Sequence, residues 1–226
     1  MDIVDFHSHI LPHADHGSSS TSVSLTQLQL AKESGVERII LTPHYYPHME
    51  NSDSFLNRRE KCYAHLLKSL TAEYPEVRLG AEVLICDNIE EMPLIEHLCI
   101  RGTKVLLLEL PFSDFSPSYA VSVKCLILKG YTVILAHADR YDPDHIDLLV
   151  SAGAKVQLNA DALSGLSIGK HIKRWLRDDV VYAIGSDIHG EDKKAYRTFK
   201  KAIKKLQSYS VAVKSHSDYI WNTAKK

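Results

Sequence analysis

Nine side chains with metal-binding chemistry recur along the sequence: His7, His9, His16, His44, Glu82, Glu109, His137, Asp187 and His189. They sit in short motifs: H-S-H-I-L-P followed by Asp15, His16 and Gly17, then T-P-H, G-A-E-V, a run ending in Glu109, A-H-A-D-R-Y and S-D-I-H. Imidazole nitrogen with carboxylate oxygen and no thiolate is a donor mix suited to Zn²⁺, Mn²⁺ or Fe²⁺. These donors outnumber what one ion can use, and a carboxylate such as Glu82 can bridge two ions, so the set points to a cluster. His7 and His9 are two residues apart, as are Asp187 and His189; on a strand each pair points to one side and can grip one ion. Arg140, three residues after His137, is a guanidinium placed to hold phosphate oxygens, its ordinary alternative being a salt bridge with Asp139 or Asp142.

Taken singly, each histidine is as readily a solvated or core residue as a ligand. Taken together, nine donors at matching strand ends would bury uncompensated charge unless cations neutralise it. His13, His48, His65, His97, His145, His171 and His216 fall outside the pattern and read as ordinary loop or helix residues, with His48 alone lying close after a motif. Asp5, Asp15 and Asp139 are candidates to orient ligands from behind, although turn and strand-end roles suit them equally well.

The elements that must position these groups follow from periodicity. Short runs rich in Val, Ile and Leu predict strands over Asp2–Phe6, Glu37–Leu41, Arg78–Ile85, Lys104–Glu109, Thr132–Ala136, Lys155–Asn159 and Val180–Ile184. Amphipathic segments between them predict helices starting near Thr21, Ser52, Asp114, Pro143, Ile168 and Asp192, with a last helix in the tail Ser208–Lys226. Gly35 and Gly130 stand where helix ends call for a left-handed residue. Strand and helix alternating in this way give an α/β fold, a closed or nearly closed barrel ahead of an open doubly wound sheet. In either, functional residues collect beyond the carboxyl ends of the strands, where these motifs fall.

The chain of 226 residues, 45% hydrophobic, reads as one domain over 1–226 without linker or repeat. A formal net charge of -1 gives no global field for nucleic acid or an anionic membrane, so such a partner would need a local patch. The helix carrying Lys193, Lys194, Arg197, Lys200, Lys201, Lys204 and Lys205 is the one candidate, for an acidic tail or anionic lipid, against the commoner solvated helix face. Cys62, Cys86, Cys99 and Cys125 form no C-x-x-C pair and read as reduced thiols; with no signal-peptide pattern and no membrane-length apolar run, a cytoplasmic location is expected.

H-S-H-I-L-P-x-x-D-x-G, T-P-H, G-A-E, the strand-end glutamate, A-H-x-x-R-Y, N-A-x-x-L-x-G and S-D-x-H resemble, in this order, the polymerase and histidinol phosphatase (PHP) superfamily. Within it the set is similar to the bacterial capsule and exopolysaccharide protein-tyrosine phosphatases. The resemblance implies a distorted seven-stranded β/α barrel holding three divalent ions, manganese first, with iron or zinc compatible, and a metal-bound hydroxide as nucleophile. It implies one ion at His7, His9, Glu82 and Asp187, a second at Glu82, Glu109 and His137, and a third at His16, His44 and His189. Arg140 matches the arginine that binds substrate phosphate, and Asn159 also lies in a family motif. The implied partner is a phosphotyrosine protein, a bacterial tyrosine kinase tail in capsule synthesis, with no nucleic acid. Two departures stand out: His16 occupies a position where those phosphatases carry a second Asp, leaving Asp15 beside it as the rival ligand, and G-E-D-K-K-A-Y-R after His189 lacks their Arg-Pro stretch.

A cysteine-based phosphatase needs an arginine six residues beyond its thiolate, and the residues there are Lys68, Met92, Val105 and Tyr131. The stretch G-L-S-I-G-K-H at Gly165 has the wrong spacing for a phosphate-binding P-loop. A small-molecule phosphatase such as histidinol phosphatase and a non-catalytic metal-dependent regulatory module are the alternatives to a protein phosphatase.

Overall fold

The computed structural model describes residues 4–209 and 212–224. The expected strand start at Asp2 lies outside them, as do Ser210, Val211, Lys225 and Lys226 of the expected tail helix. In chain order the first half runs β1 (Val4–Ser8), α1 (Thr21–Glu33), β2 (Arg38–Leu41), β3 (His44–Tyr45), α2 (Ser52–Leu67), β4 (Glu76–Leu79), β5 (Glu82–Leu84) and α3 (Ile95–Leu98). The second half runs β6 (Val105–Glu109), α4 (Tyr119–Leu128), β7 (Thr132–Leu135), α5 (Pro143–Ser151), β8 (Lys155–Asn159), α6 (Ala160–Ser164), α7 (Lys170–Arg177), β9 (Val181–Gly185), α8 (Ala195–Leu206) and α9 (Ala212–Thr223). All pairings among the described residues are parallel, in two sheets ordered β1-β2-β4 and β3-β5-β6-β7-β8-β9.

The expected strands are found, but two of their runs are interrupted. After β2, Pro43 has no N–H for the ladder, and its carbonyl instead accepts from Glu82 N at 3.1 Å. Gly80 and Ala81 break the expected strand Arg78–Ile85 into β4 and β5, with Gly80 N donating to Leu41 O at 2.8 Å. The step sets His44 directly opposite Glu82, paired in register across β3 and β5. These breaks are why the strands fall into two sheets.

The expected closed barrel is not one continuous ladder among the described residues. Beyond β9 the chain meets β1 through two bonds, Asp187 N to His7 O at 2.9 Å and His9 N to Ile188 O at 3.1 Å. A buried cluster nevertheless links Val4 and Phe6 of β1 and Ile40 of β2 with Leu107, Ile134 and Ala183 of β6, β7 and β9, as the interior of a curled succession of strands would. Ile220 and Trp221 of α9 belong to that cluster, so the expected tail helix packs onto it. The Arg78 guanidinium lies 4.1 Å over the Trp221 ring and donates to its carbonyl at 2.7 Å. Trp221→Ala is expected to cost about 3–5 kcal/mol in denaturant unfolding, as for other buried aromatics. A loss below about 1 kcal/mol, the size of an ordinary surface change, would mean that α9 merely lies on the surface.

Helix starts differ from expectation where proline intervenes. The helix expected from Asp114 begins at Tyr119, because Ser116 precedes Pro117 and is biased away from helical backbone. The helix expected near Ile168 begins at Lys170, and short α3 and α6 have too few residues for a periodic signal. Gly35 and Gly130 take the expected left-handed conformation, with φ of 85° and 86°.

Candidate metal centre

The nine predicted donors meet on one side of the sheets, most of them at or just past the carboxyl ends of strands and two, His44 and Glu82, opening the short strands β3 and β5. Glu82, fully buried at the start of β5, is the hub. Its Oε2 lies 3.1 Å from His7 Nε2, 3.3 Å from His9 Nε2 and 2.8 Å from His44 Nδ1, and its Oε1 lies 2.7 Å from His137 Nε2. Glu109 adds Oε2 at 3.6 Å from His44 and Oε1 at 3.7 Å from His137. Asp187 Oδ1 stands 3.3 Å from His9 and 3.6 Å from His189 Nδ1. His16 is exposed and joins by ring stacking, 4.8 Å from both His44 and His189 between ring centroids.

The local backbone departs from the simple strand picture. His9 lies one residue past β1, whose pairing register shifts between Asp5 and Ser8, yet its Nε2 is only 3.0 Å from that of His7. Asp187 and His189 are in the loop after β9, so strand alternation does not aim them; Asp187 has φ of 50° and His137 has φ of 30°. Positive φ at residues other than glycine is strained and persists only where surroundings hold it. Close approach also dictates two glycines: a Cβ at Gly17 would stand 2.3 Å from His9 Cβ, and one at Gly185 2.5 Å from His7 Cβ.

Behind the donors, a row of hydrogen bonds fixes the rings. His9 Nδ1 donates to Asp15 Oδ2 at 2.8 Å, and that carboxylate also accepts from His44 N at 3.0 Å and Gly17 N at 2.8 Å. Both Asp15 oxygens are therefore occupied, while the neighbouring His16 ring reaches the cluster. His7 Nδ1 donates to Gln157 Oε1 at 3.0 Å, which also accepts from His137 N at 2.7 Å. Gln157 was not anticipated; a buried glutamine inside K-V-Q-L-N, on the same strand face as Asn159, was the available signal. Asp5 accepts from Ser186 N and Tyr196 Oη at 2.8 and 2.9 Å and tethers the Asp187 loop to β1. Asp139 accepts from Asn159 N at 2.7 Å. Arg140 pairs with neither Asp139 nor Asp142 but with Asp187 Oδ2 at 2.6 Å, and Asn159 Nδ2 donates to the same oxygen at 3.1 Å. Exposed His48 lies tilted against Tyr46, 6.0 Å between ring centroids.

This donor set fits divalent cations. With their Nδ1 protons committed, His7 and His9 turn two Nε2 lone pairs toward each other at 3.0 Å, an arrangement that needs a proton or a cation between them. Buried Glu82 Oε2, Glu109 Oε2, His44 Nδ1 and His189 Nε2 have no hydrogen-bond partner. Three donor groups are close enough to hold ions: His7, His9 and Glu82; His44, Glu82 and Glu109; and His9, His44 and His189. The electrostatics agree. Burial would keep His9 neutral, but Asp15, Asp187 and Glu82 hold its pKa well above the usual value; for His44, Glu109 and Glu82 likewise overcome burial and raise it to about 9. Burial would raise Glu82, yet His7, His137 and His44 hold it well below the carboxylate range. His189, desolvated and facing His9, falls to about 4. Cations entering here displace protons, so loading weakens as pH falls. Asp15→Asn is expected to weaken ion binding about 10–100-fold, measured by competition with a metal-sensitive dye, because it removes the negative charge behind His9 and leaves one accepting oxygen where His9, His44 and Gly17 now use two.

Residues 3–220 match the family described as capsular polysaccharide synthesis, CpsB/CapC. The chain belongs to the CpsB/CapC family. Among relatives in this family, the tyrosine-protein phosphatase YwqE of Bacillus subtilis strain 168 is 29% identical over 212 residues, 87% of this chain and 81% of its own. The tyrosine-protein phosphatase CpsB of Streptococcus agalactiae serotype V is 21% identical over 205 residues, 84% of each chain. The fold is shared with a crystal structure from a study of YwqE from Bacillus subtilis and CpsB from Streptococcus pneumoniae, described there as unique metal-dependent tyrosine phosphatases. The match has a TM-score of 0.80 at 22% identity and covers 99% of this chain and 96% of the other. The CpsB/CapC fold thus carries the observed cluster within a parallel β/α framework.

Proposed function

We propose that this chain is a metal-dependent phosphate monoester hydrolase, a protein-tyrosine phosphatase acting in the cytoplasm on a tyrosine kinase or related protein of capsule or exopolysaccharide synthesis. The observation that carries this reading is the convergence of buried, unpartnered imidazole and carboxylate atoms beside Arg140. The names of its family relatives support the same chemistry. We assign three ions, manganese first, to His7, His9, Glu82 and Asp187; to Glu82, Glu109 and His137; and to His16, His44 and His189.

Bound divalent cations would acidify a water and neutralise phosphoryl charge. The chain's own groups do the rest. Arg140, 41% exposed at its side chain and steadied by Asp187, turns its free N–H groups to the phosphate and offsets charge as it shifts between oxygens. Asp15, Gln157 and the Asp187 carbonyl hold the Nδ1 protons of His9, His7 and His189, leaving each Nε2 for an ion. A tyrosyl leaving group, with a phenol pKa of about 10, departs without a dedicated acid.

The mouth is aromatic on one flank. Phe112, three residues past β6, is 75% exposed and lies 5.6 Å from Tyr141, whose ring is 5.5 Å from His137 and whose hydroxyl is tied to Leu110 O at 2.8 Å. Tyr46 stacks on His44 across the cluster, 5.1 Å away. Such rings suit an aryl phosphate. Phe112→Ala is expected to raise KM for a phosphotyrosyl peptide about 5–10-fold, in keeping with about 0.5–1.5 kcal/mol for an aromatic pair, and leave kcat alone. An equal effect on phosphoserine would remove the aryl-recognition role.

Phosphate release from a phosphotyrosyl peptide and from histidinol phosphate tests the overall reading. Turnover of the peptide is expected. Turnover of histidinol phosphate alone would make this a small-molecule phosphatase, and turnover of neither would leave a regulatory binding module.

A further inference from the structure

The exposed face of α8 stands apart from the rest of the surface. From Lys193 to Ser217 there is no Asp or Glu, while Lys193, Lys194, Arg197, Lys200, Lys201, Lys204, Lys205 and Lys214 all fall within that stretch. The chain as a whole is nearly neutral, at -1, so this is a local concentration of charge rather than a share of a basic protein. Helical spacing places Arg197, Lys200, Lys201 and Lys204 on one stripe, all four exposed, and exposed Lys193 lies in the turn just before the helix. Tyr196, Phe199, Ala202, Ile203 and Leu206, on the other side, are buried in the core.

A solvated helix face ordinarily mixes signs so that neighbours at i and i+4 attract. Here Arg197 with Lys201, Lys200 with Lys204 and Lys201 with Lys205 are three like-charged pairs at that spacing within α8. Each destabilises the helix, and no carboxylate bridges the stripe among the described residues. Lys205 Nζ instead reaches the carbonyl of Gly165, which brings the loop carrying fully exposed Leu166 against the end of the stripe. Tyr209, half-exposed, follows three residues after α8.

We infer that this face is a peripheral docking surface for an anionic lipid bilayer. Six of the seven cations from Lys193 to Lys205 are lysines, compact charges without the planar fork that selects a single carboxylate or phosphate. That suits a diffuse layer of anionic headgroups better than a defined acidic peptide. Leu166 and Tyr209 supply the small apolar and amphipathic contacts that sit at a membrane interface. Because the apolar side of α8 stays in the core, the helix docks without inserting. Asp192, Ala195 and Thr198, at and just before the first turns of α8, also line a 300 Å³ cavity with Arg140, Asn159, Asp187 and His189. Docking through α8 therefore holds the mouth of the metal centre beside the bilayer, where a membrane-borne substrate would be presented. The docking surface itself does not depend on the phosphatase reading.

The test is co-sedimentation of the full chain with phosphatidylcholine vesicles, with and without phosphatidylserine, at low and high salt. Binding is expected only with phosphatidylserine and only at low salt. The triple variant Lys200→Gln, Lys201→Gln, Lys204→Gln is expected to bind about a hundredfold more weakly, about fivefold for each lysine removed. Glutamine matches lysine in helix propensity and removes like-charge repulsion, so the thermal midpoint should hold or rise. Turnover of a soluble phosphorylated peptide should not change. Absence of binding to phosphatidylserine vesicles, equal binding to phosphatidylcholine alone, or undiminished binding by the triple variant would overturn the inference. Capture of polyglutamate without vesicle binding would also overturn it and give the face to an acidic polypeptide.

Discussion

Glu82→Gln should lower kcat on a phosphotyrosyl peptide at least about a thousandfold, equivalent to several kcal/mol of lost charge stabilisation. Its two oxygens touch four imidazoles, those of His7, His9, His44 and His137, at distances from 2.7 to 3.3 Å. An amide keeps the shape but removes the negative charge and replaces one acceptor by a donor, so it cannot face cations on both sides. The reading is stoichiometry together with rate: bound metal per chain should fall as well as kcat. The site is fully buried, so circular dichroism and thermal melting on the variant are needed to show that folding persists. A loss of turnover smaller than about tenfold would be no more than removing an outlying contact gives, and would take Glu82 out of the central role.

The second large effect is expected at Arg140. Arg140→Ala should cost about a hundredfold or more in kcat/KM, the scale seen when one preorganised donor to a developing charge is removed. Arg140→Lys should recover only part, because an ammonium offers a point charge where the guanidinium offers two parallel donors. Arg140 is 41% exposed on its side chain while Asp187, its partner at 2.6 Å, is 4% exposed, so the charge faces the mouth and its anchor faces the cluster. Metal content should be retained in both variants. An unchanged kcat/KM would reassign the pair to holding Asp187 in its strained loop conformation.

That these nine side chains come together was legible in the sequence because parallel β/α folds deliver strand ends to one face, so position along the chain translates into position in space. What was less legible depends on the backbone leaving regular structure. Asp187 and His189 look like a strand pair by spacing, yet they reach the cluster through a loop with positive φ that Asp5 and Ser186 hold down. The interruptions at Pro43 and at Gly80 were visible as residues, but their effect, setting His44 opposite Glu82, depends on pairing between distant segments. Gln157 escaped notice because an amide is not a typical ligand; its role lies in the hydrogen bonds behind His7 and His137. The rivalry between Asp15 and His16 could not be resolved by spacing, since the two are adjacent. Three hydrogen bonds to Asp15 decide its orientation toward His9 and His44 rather than toward the mouth.

The measurement closest to the central claim is phosphate release from a phosphotyrosyl peptide by chelator-stripped protein, before and after manganese, iron or zinc is restored, with bound metal counted in the same samples. Negligible turnover is expected when stripped, with recovery on adding metal and more than one ion bound per chain. Turnover that survives complete stripping, or restored metal with no turnover of any phosphate monoester, would contradict the claim.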